Sequence, residues 1–144
     1  MLLINESLTR KQYKQLIELV SVYANSVLFV VPYYIEFEDE PFYKKFQHRL
    51  MSTKNTDNWI GTKKPKIEME YRYYWDEDVI RYFLKFDNLI QMNDEKTPLL
   101  FRDTDVTFLK FNEVIVETIS HEQQIFVAHE VVIETLKNAG VSFL

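Results

Sequence analysis

The sequence predicts an α+β domain in which a mostly antiparallel sheet carries about four helices on it. Three patterns support this. Tyr13, Leu16, Ile17, Val20 and Tyr23 recur at helical intervals. Ile67, Met69, Tyr71 and Tyr73 alternate with Glu68, Glu70, Arg72 and Tyr74, as on a half-buried strand. The last third holds short apolar runs divided by brief turns, and strands joined that closely pair antiparallel. The length of 144 residues suits one domain spanning residues 1–144.

The elements follow in order. Thr9 stands three residues before Gln12, a capping-box spacing, and opens a helix that Asn25-Ser26 ends. Ser26 to Val31 is β-branched and aromatic and reads as a buried strand, with Pro32 at its end. Tyr34 to Asp39 alternates weakly and turns acidic. Pro41 suits the first turn of a second helix, striped by Phe42, Phe46 and Leu50. Ser52 to Pro65 has the composition of a loop, and Lys66 to Trp75 is the alternating strand. Asp76 caps a third helix with Glu77 and Asp78 behind it, and Val79, Ile80, Phe83 and Leu84 form its inner face. Asn93 to Pro98 reads as a loop, and Leu99 to Phe101 as a short strand before the turn Asp103-Thr104-Asp105. Val106 to Phe111, Val114 to Ser120 and Gln124 to Ala128 are further strands. Val131 to Asn138 closes the chain as a helix, with Gly140 placed to end it in the left-handed conformation.

Composition bounds the function. Hydrophobic residues make up 47% and charged residues 27%, an ordinary globular balance that excludes disordered and low-complexity classes. There is no cysteine, so thiolate metal sites, disulfides and cysteine nucleophiles are excluded, and a cytoplasmic location is expected. The longest apolar run is far shorter than the roughly 20 residues of a membrane-spanning helix. The opening Met1-Leu2-Leu3-Ile4-Asn5-Glu6 lacks the basic start and apolar core of a signal peptide.

The motifs of common catalysis are missing. Two glycines, Gly61 and Gly140, cannot build a phosphate-binding loop or a dinucleotide fingerprint. His121 is not followed by a second histidine at helical spacing, and Ile125 occupies that position, so the zinc-protease pattern fails. No Gly-x-Ser-x-Gly elbow is present. No catalytic residue, metal ligand set or cofactor is therefore assigned. Lys63, Lys64 and Lys66 precede the aromatic run Tyr71 to Trp75, a combination that can serve nucleic-acid binding. The net charge of −5 opposes that use.

Two acidic clusters stand out: Glu36, Glu38, Asp39 and Glu40, and Asp76, Glu77 and Asp78. The first, beside Tyr33, Tyr34 and Phe37, suits a surface that steers in a protein with a basic surface. An exposed apolar patch would also allow a homodimer.

Four segments carry a resemblance: Trp59-Ile60-Gly61-Thr62, Tyr71-Arg72-Tyr73, Leu99-Leu100-Phe101-Arg102-Asp103 and Ile119-Ser120-His121-Glu122. In this order they resemble a family of small proteins of Gram-positive bacteria to which no activity is assigned. The resemblance implies candidate positions and no reaction: Trp59, Gly61, Thr62, Arg72, Arg102, His121 and Glu122. If these meet, they offer an aromatic wall, two guanidinium groups and an imidazole, a set that suits an anionic group. Small size, acidity, aromatic richness and the lack of a catalytic signature make the expectation a non-catalytic protein-interaction module of the immunity or antitoxin type. The alternative is a ligand-binding or hydrolytic protein with its site around Arg72, Arg102 and His121.

Overall fold

A computed structural model describes residues 1–55, 68–89 and 103–144. Seven strands form one sheet in the order β1-β7-β6-β5-β2-β4-β3, antiparallel at every pairing among the described residues. They are β1 (Leu2–Leu3), β2 (Ser26–Val31), β3 (Leu50–Asn55), β4 (Met69–Tyr74), β5 (Asp105–Lys110), β6 (Glu113–Ile119) and β7 (Gln124–Val127). The helices are α1 (Arg10–Tyr23), α2 (Pro41–Lys45), α3 (Glu77–Phe83) and α4 (Glu130–Asn138). The architecture is α+β, mostly sheet, as expected.

Register fixes the buried face. Tyr73, Val27, Phe108, Val116, Val127 and Leu2 lie in one cross-strand row. Five of these are buried and Leu2 packs against their cluster, together with Leu16, Ile17 and Val20 of α1 and Val132 and Leu136 of α4. The next row, Arg72, Leu28, Thr107, Glu117, Phe126 and Leu3, points to the other side and is half-buried throughout. Side chains alternate between faces along a strand, so this division follows from register alone.

Local chemistry sets the helix ends. Thr9 Oγ1 accepts from the Gln12 amide at 3.1 Å, and Gln12 Oε1 accepts from the Thr9 amide at 3.0 Å. Asp76 Oδ1 accepts from the Val79 amide at 3.2 Å. His129 caps α4, its Nδ1 accepting from the Val132 amide at 3.4 Å while its ring lies 4.1 Å from that of Tyr23.

Four expectations need correction. The loop-like stretch beginning at Ser52 starts as strand, because β3 runs from Leu50 to Asn55. It is an edge strand exposed from Met51 to Asn55, so no buried face imposes apolar alternation on it. The second helix stops at Lys45, where Phe46 leaves helical geometry, and a 3₁₀ turn over Gln47–Arg49 leads into β3. Phe37, expected at the surface, is buried at the start of a 3₁₀ turn, with its ring 4.6 Å from that of Tyr71. Ser120, expected to end the strand from Val114, instead opens a 3₁₀ turn, Ser120–Glu122, that leads through left-handed Gln123 into β7. The predicted loop Asn93 to Pro98 and strand Leu99 to Phe101 lie outside the described residues.

Candidate functional site

Of the positions singled out by the four segments, Trp59, Gly61, Thr62 and Arg102 lie outside the described residues, as do Lys63, Lys64 and Lys66. Of the others, Arg72 does not meet His121 and Glu122. Arg72 sits mid-strand in β4 and reaches across β2 to the β5–β6 turn. Its Nε donates to Ser26 Oγ at 3.1 Å, Nη1 to Asn112 Oδ1 at 3.4 Å, and Nη2 to the Phe111 carbonyl. His121 lies beyond the opposite end of β6. With β6 seven residues long and a rise of about 3.3 Å per residue, the two ends stand about 20 Å apart. The His121 side chain is 73% exposed, and its Nε2 lies 3.8 Å from Glu122 Oε1, an open surface pair.

These bonds tie Arg72 to the β5–β6 turn. Phe111 has a left-handed φ of 54°. Its amide donates to Asn25 Oδ1 at 2.9 Å while Arg72 takes its carbonyl. Asn25 in turn donates its backbone amide to the Leu109 carbonyl at 2.9 Å and accepts from the Trp75 amide at 3.1 Å.

Of the four carboxylates of the first acidic cluster, three are exposed and Glu40 is half-buried. Glu36, Glu38 and Asp39 are exposed on the 3₁₀ turn Phe37–Asp39 and its approach. Phe37 holds this turn down as a buried plug. Tyr33 and Tyr34 are 54% and 57% exposed beside it, ring to ring at 5.3 Å in a T-shaped pair. The Tyr34 hydroxyl donates to Asp103 Oδ2 at 2.9 Å. Tyr43 of α2 stands edge-on to Tyr71 at 5.9 Å.

The carboxylates also act on the neighbouring phenols, after burial. Burial pushes the Tyr71 phenol above its ordinary range, and Glu38, Tyr43 and Glu36 push it further. Tyr82 is raised by burial and then by Glu40. Glu40 is itself raised by its half-buried setting and by Asp39. Carboxylates beside aromatic faces favour cations through charge and ring quadrupole together. Lys45 shows this locally, its Nζ 5.6 Å from the Tyr82 centroid.

The sequence marks the carboxylates plainly but marks Tyr71 only as a core residue. Its place beside Glu36 and Glu38 depends on the buried Phe37, which brings the turn onto β4. No local pattern encodes that contact.

A separate pocket of about 240 Å³ is lined by Ile4 to Leu8, Asn88, Gln123 and Ile125. Among the described residues no group of three His, Asp or Glu is arranged to hold a metal ion, and no helix is long and apolar enough to cross a membrane. No protein-family model matches the chain, and no curated protein or solved structure matches it either.

Proposed function

We propose that this chain is a protein-interaction module of the immunity or antitoxin type, and that it captures a partner with a basic surface. The supporting observation is the acidic–aromatic face: exposed Glu36, Glu38 and Asp39 next to exposed Tyr33 and Tyr34. Tyrosines supply rigid contact area at low entropic cost, and the carboxylates supply steering. The alternative site around Arg72, Arg102 and His121 has less support, since Arg72 spends its donors on Ser26, Asn112 and Phe111.

The test is a triple variant, Glu36→Gln, Glu38→Gln and Asp39→Asn, used as bait beside the parent in extract from the source cells. The expected partner has a basic isoelectric point, is retained by the parent, and is lost by the variant and at high salt. A partner that binds both baits equally, or an acidic one, would overturn the reading.

A further inference from the structure

We propose that the outer edge of β3 is a strand-docking site, and that the captured partner enters as an extended basic segment pairing along it. This rests on the reading of the acidic–aromatic face as a capture surface and specifies how the partner is held.

The two edges of the sheet differ. At the β1 edge, Ile4 bridges to Phe143, the Asn5 amide donates to the Ser142 carbonyl and the Leu144 amide to the Leu3 carbonyl. That edge is short and covered by the chain's own C-terminal residues. At the other end β3 pairs with β4 from Leu50 to Asn55. Among the described residues nothing pairs with its outer side, and Met51 to Asn55 are all exposed. An antiparallel edge presents alternate N–H and C=O groups outward, a template for one more strand. Among the described residues the usual protections are few: Lys54, and one irregularity between Leu50 and Ser52. Ser52 to Asn55 is regular and contains no proline.

Register specifies the occupant. Thr53 stands opposite Tyr71, so it shares the helix-bearing face with that ring. Phe37, flanked in the chain by the exposed Glu36 and Glu38, sets its ring 4.6 Å from that of Tyr71, so these carboxylates border the same face. A strand added about 4.8 Å beyond β3 sends alternate side chains to that face. A Lys or Arg there lays its stem along Thr53 and Tyr71 and carries its charge to the carboxylates. On the other face Lys54 stands opposite Glu70, and Ser52 opposite Arg72. A second cation beside Lys54 is repelled there, so the intervening residues of the partner are uncharged or acidic. The recognised chemistry is an extended segment with a basic residue at every second position.

A second copy of this chain fits less well. Antiparallel β3–β3 pairing about a two-fold axis keeps both helix layers on one side of the joined sheet. It would bring two Glu36–Glu38 surfaces towards each other.

The test uses a labelled peptide of about ten residues alternating lysine with threonine, followed by fluorescence anisotropy. Two further peptides carry N-methyl groups on alternate backbone amides, in opposite phases. Methylation removes donors without touching the protein, so folding is not in question. In the expected result one phase loses about tenfold or more in affinity, the equivalent of one or two hydrogen bonds, and the other phase binds as the parent does. Glu36→Gln with Glu38→Gln weakens the parent peptide, and Glu130→Gln with Glu134→Gln on α4 does not. If both methylated phases bind equally while the Glu36/Glu38 variant still weakens binding, strand addition is wrong and the capture surface stands. Strand addition is equally wrong if the peptide fails to bind while a basic partner is still lost by the triple variant. A dimer in sedimentation that the peptide cannot split would assign the edge to a second copy and overturn the proposal.

Discussion

The Tyr13 hydroxyl donates a 2.6 Å hydrogen bond to the backbone carbonyl of Phe83, 70 residues further along the chain. Tyr13 is fully buried, and Phe83 is the last residue of α3. One phenol thus ties the first turn of α1 to the end of α3 inside the core. Burial holds its ionisation far above the ordinary tyrosine range, with Asp87 adding to the effect. Tyr13→Phe keeps the ring and removes the bond, so it should destabilise the fold by about 1–2 kcal/mol. Urea denaturation should show a lower midpoint with an unchanged slope. An unchanged midpoint would mean that the bond contributes nothing beyond the ring's burial.

That bond shows what the sequence does and does not disclose. Tyr13 is legible as a core residue because its neighbours repeat at helical spacing. Its partner is a backbone carbonyl, which no residue pattern marks. Elements with one buried face are legible in the same way: α1 and β4 follow their periodicity, while β2, β5 and β6 show as short apolar runs bounded by turns. β3 is not, because the edge strand buries neither face and Ser52-Thr53-Lys54-Asn55 reads as loop. Within the candidate site the carboxylates at Glu36 to Glu40 are plain in the sequence. The burial of Phe37 is not, since a 3₁₀ turn has no run long enough to show a period. The two-strand reach of Arg72 is equally invisible, because a strand pattern fixes the face of a side chain and leaves its length and direction open.

Arg72 holds the backbone carbonyl of Phe111 and Asn25 holds its amide, and this leads to a coupled prediction. Arg72→Lys loses the planar fork that reaches Ser26, Asn112 and the Phe111 carbonyl together. It should cost about 1–2 kcal/mol and speed hydrogen exchange in the β5–β6 turn. Asn25→Ala should act on the same turn through the Phe111 amide. The double variant should lose less than the two single losses combined, by about 0.5 kcal/mol or more. Strict additivity would separate the two contacts. Loss of partner capture in a folded Arg72→Lys protein would instead return Arg72 to a binding role.

Gly140 isolates backbone strain from packing. It has φ +88°, and a Cβ built on it would meet nothing within 4 Å. Its amide donates to the Lys137 carbonyl at 3.0 Å, and the Val141 amide to the Leu136 carbonyl at 3.0 Å, closing α4 with the paired bonds of a Schellman motif. Gly140→Ala adds no clash, so its whole cost is conformational, about 1–2 kcal/mol. Phe111 is the reverse case, a bulky residue at φ 54° and 70% exposed. Phe111→Gly should relieve strain there and recover part of a kcal/mol, less the entropy that glycine adds to the unfolded chain. Thermal unfolding of both variants checks the pair. A neutral Gly140→Ala would mean that α4 ends as well without a left-handed residue.

Asp105 carries a pH dependence whose sign can be worked out. Its carboxyl is raised above its ordinary value of 3.8 by burial, although the Ser120 amide and His121 both pull it back down. Its Oδ1 accepts from that amide at 2.7 Å. A folded value above the unfolded one means that the folded state binds the proton more tightly. The stability it lends is complete while the carboxyl is protonated, and is lost as pH rises through and beyond the ordinary carboxylate range. Asp105→Asn keeps an oxygen for the Ser120 amide and carries no charge to desolvate. The variant's stability relative to the parent should therefore rise with pH and level off once the parent's carboxyl is fully ionised. Urea midpoints taken at intervals from about pH 3 to 7 measure this difference. Glu40, raised by its half-buried setting and by Asp39, should leave a residual slope of the same sign in both proteins. A difference that shrinks as pH rises would show that the Ser120 amide and His121 outweigh burial, and would make Asp105 a carboxylate stabilised by its charge.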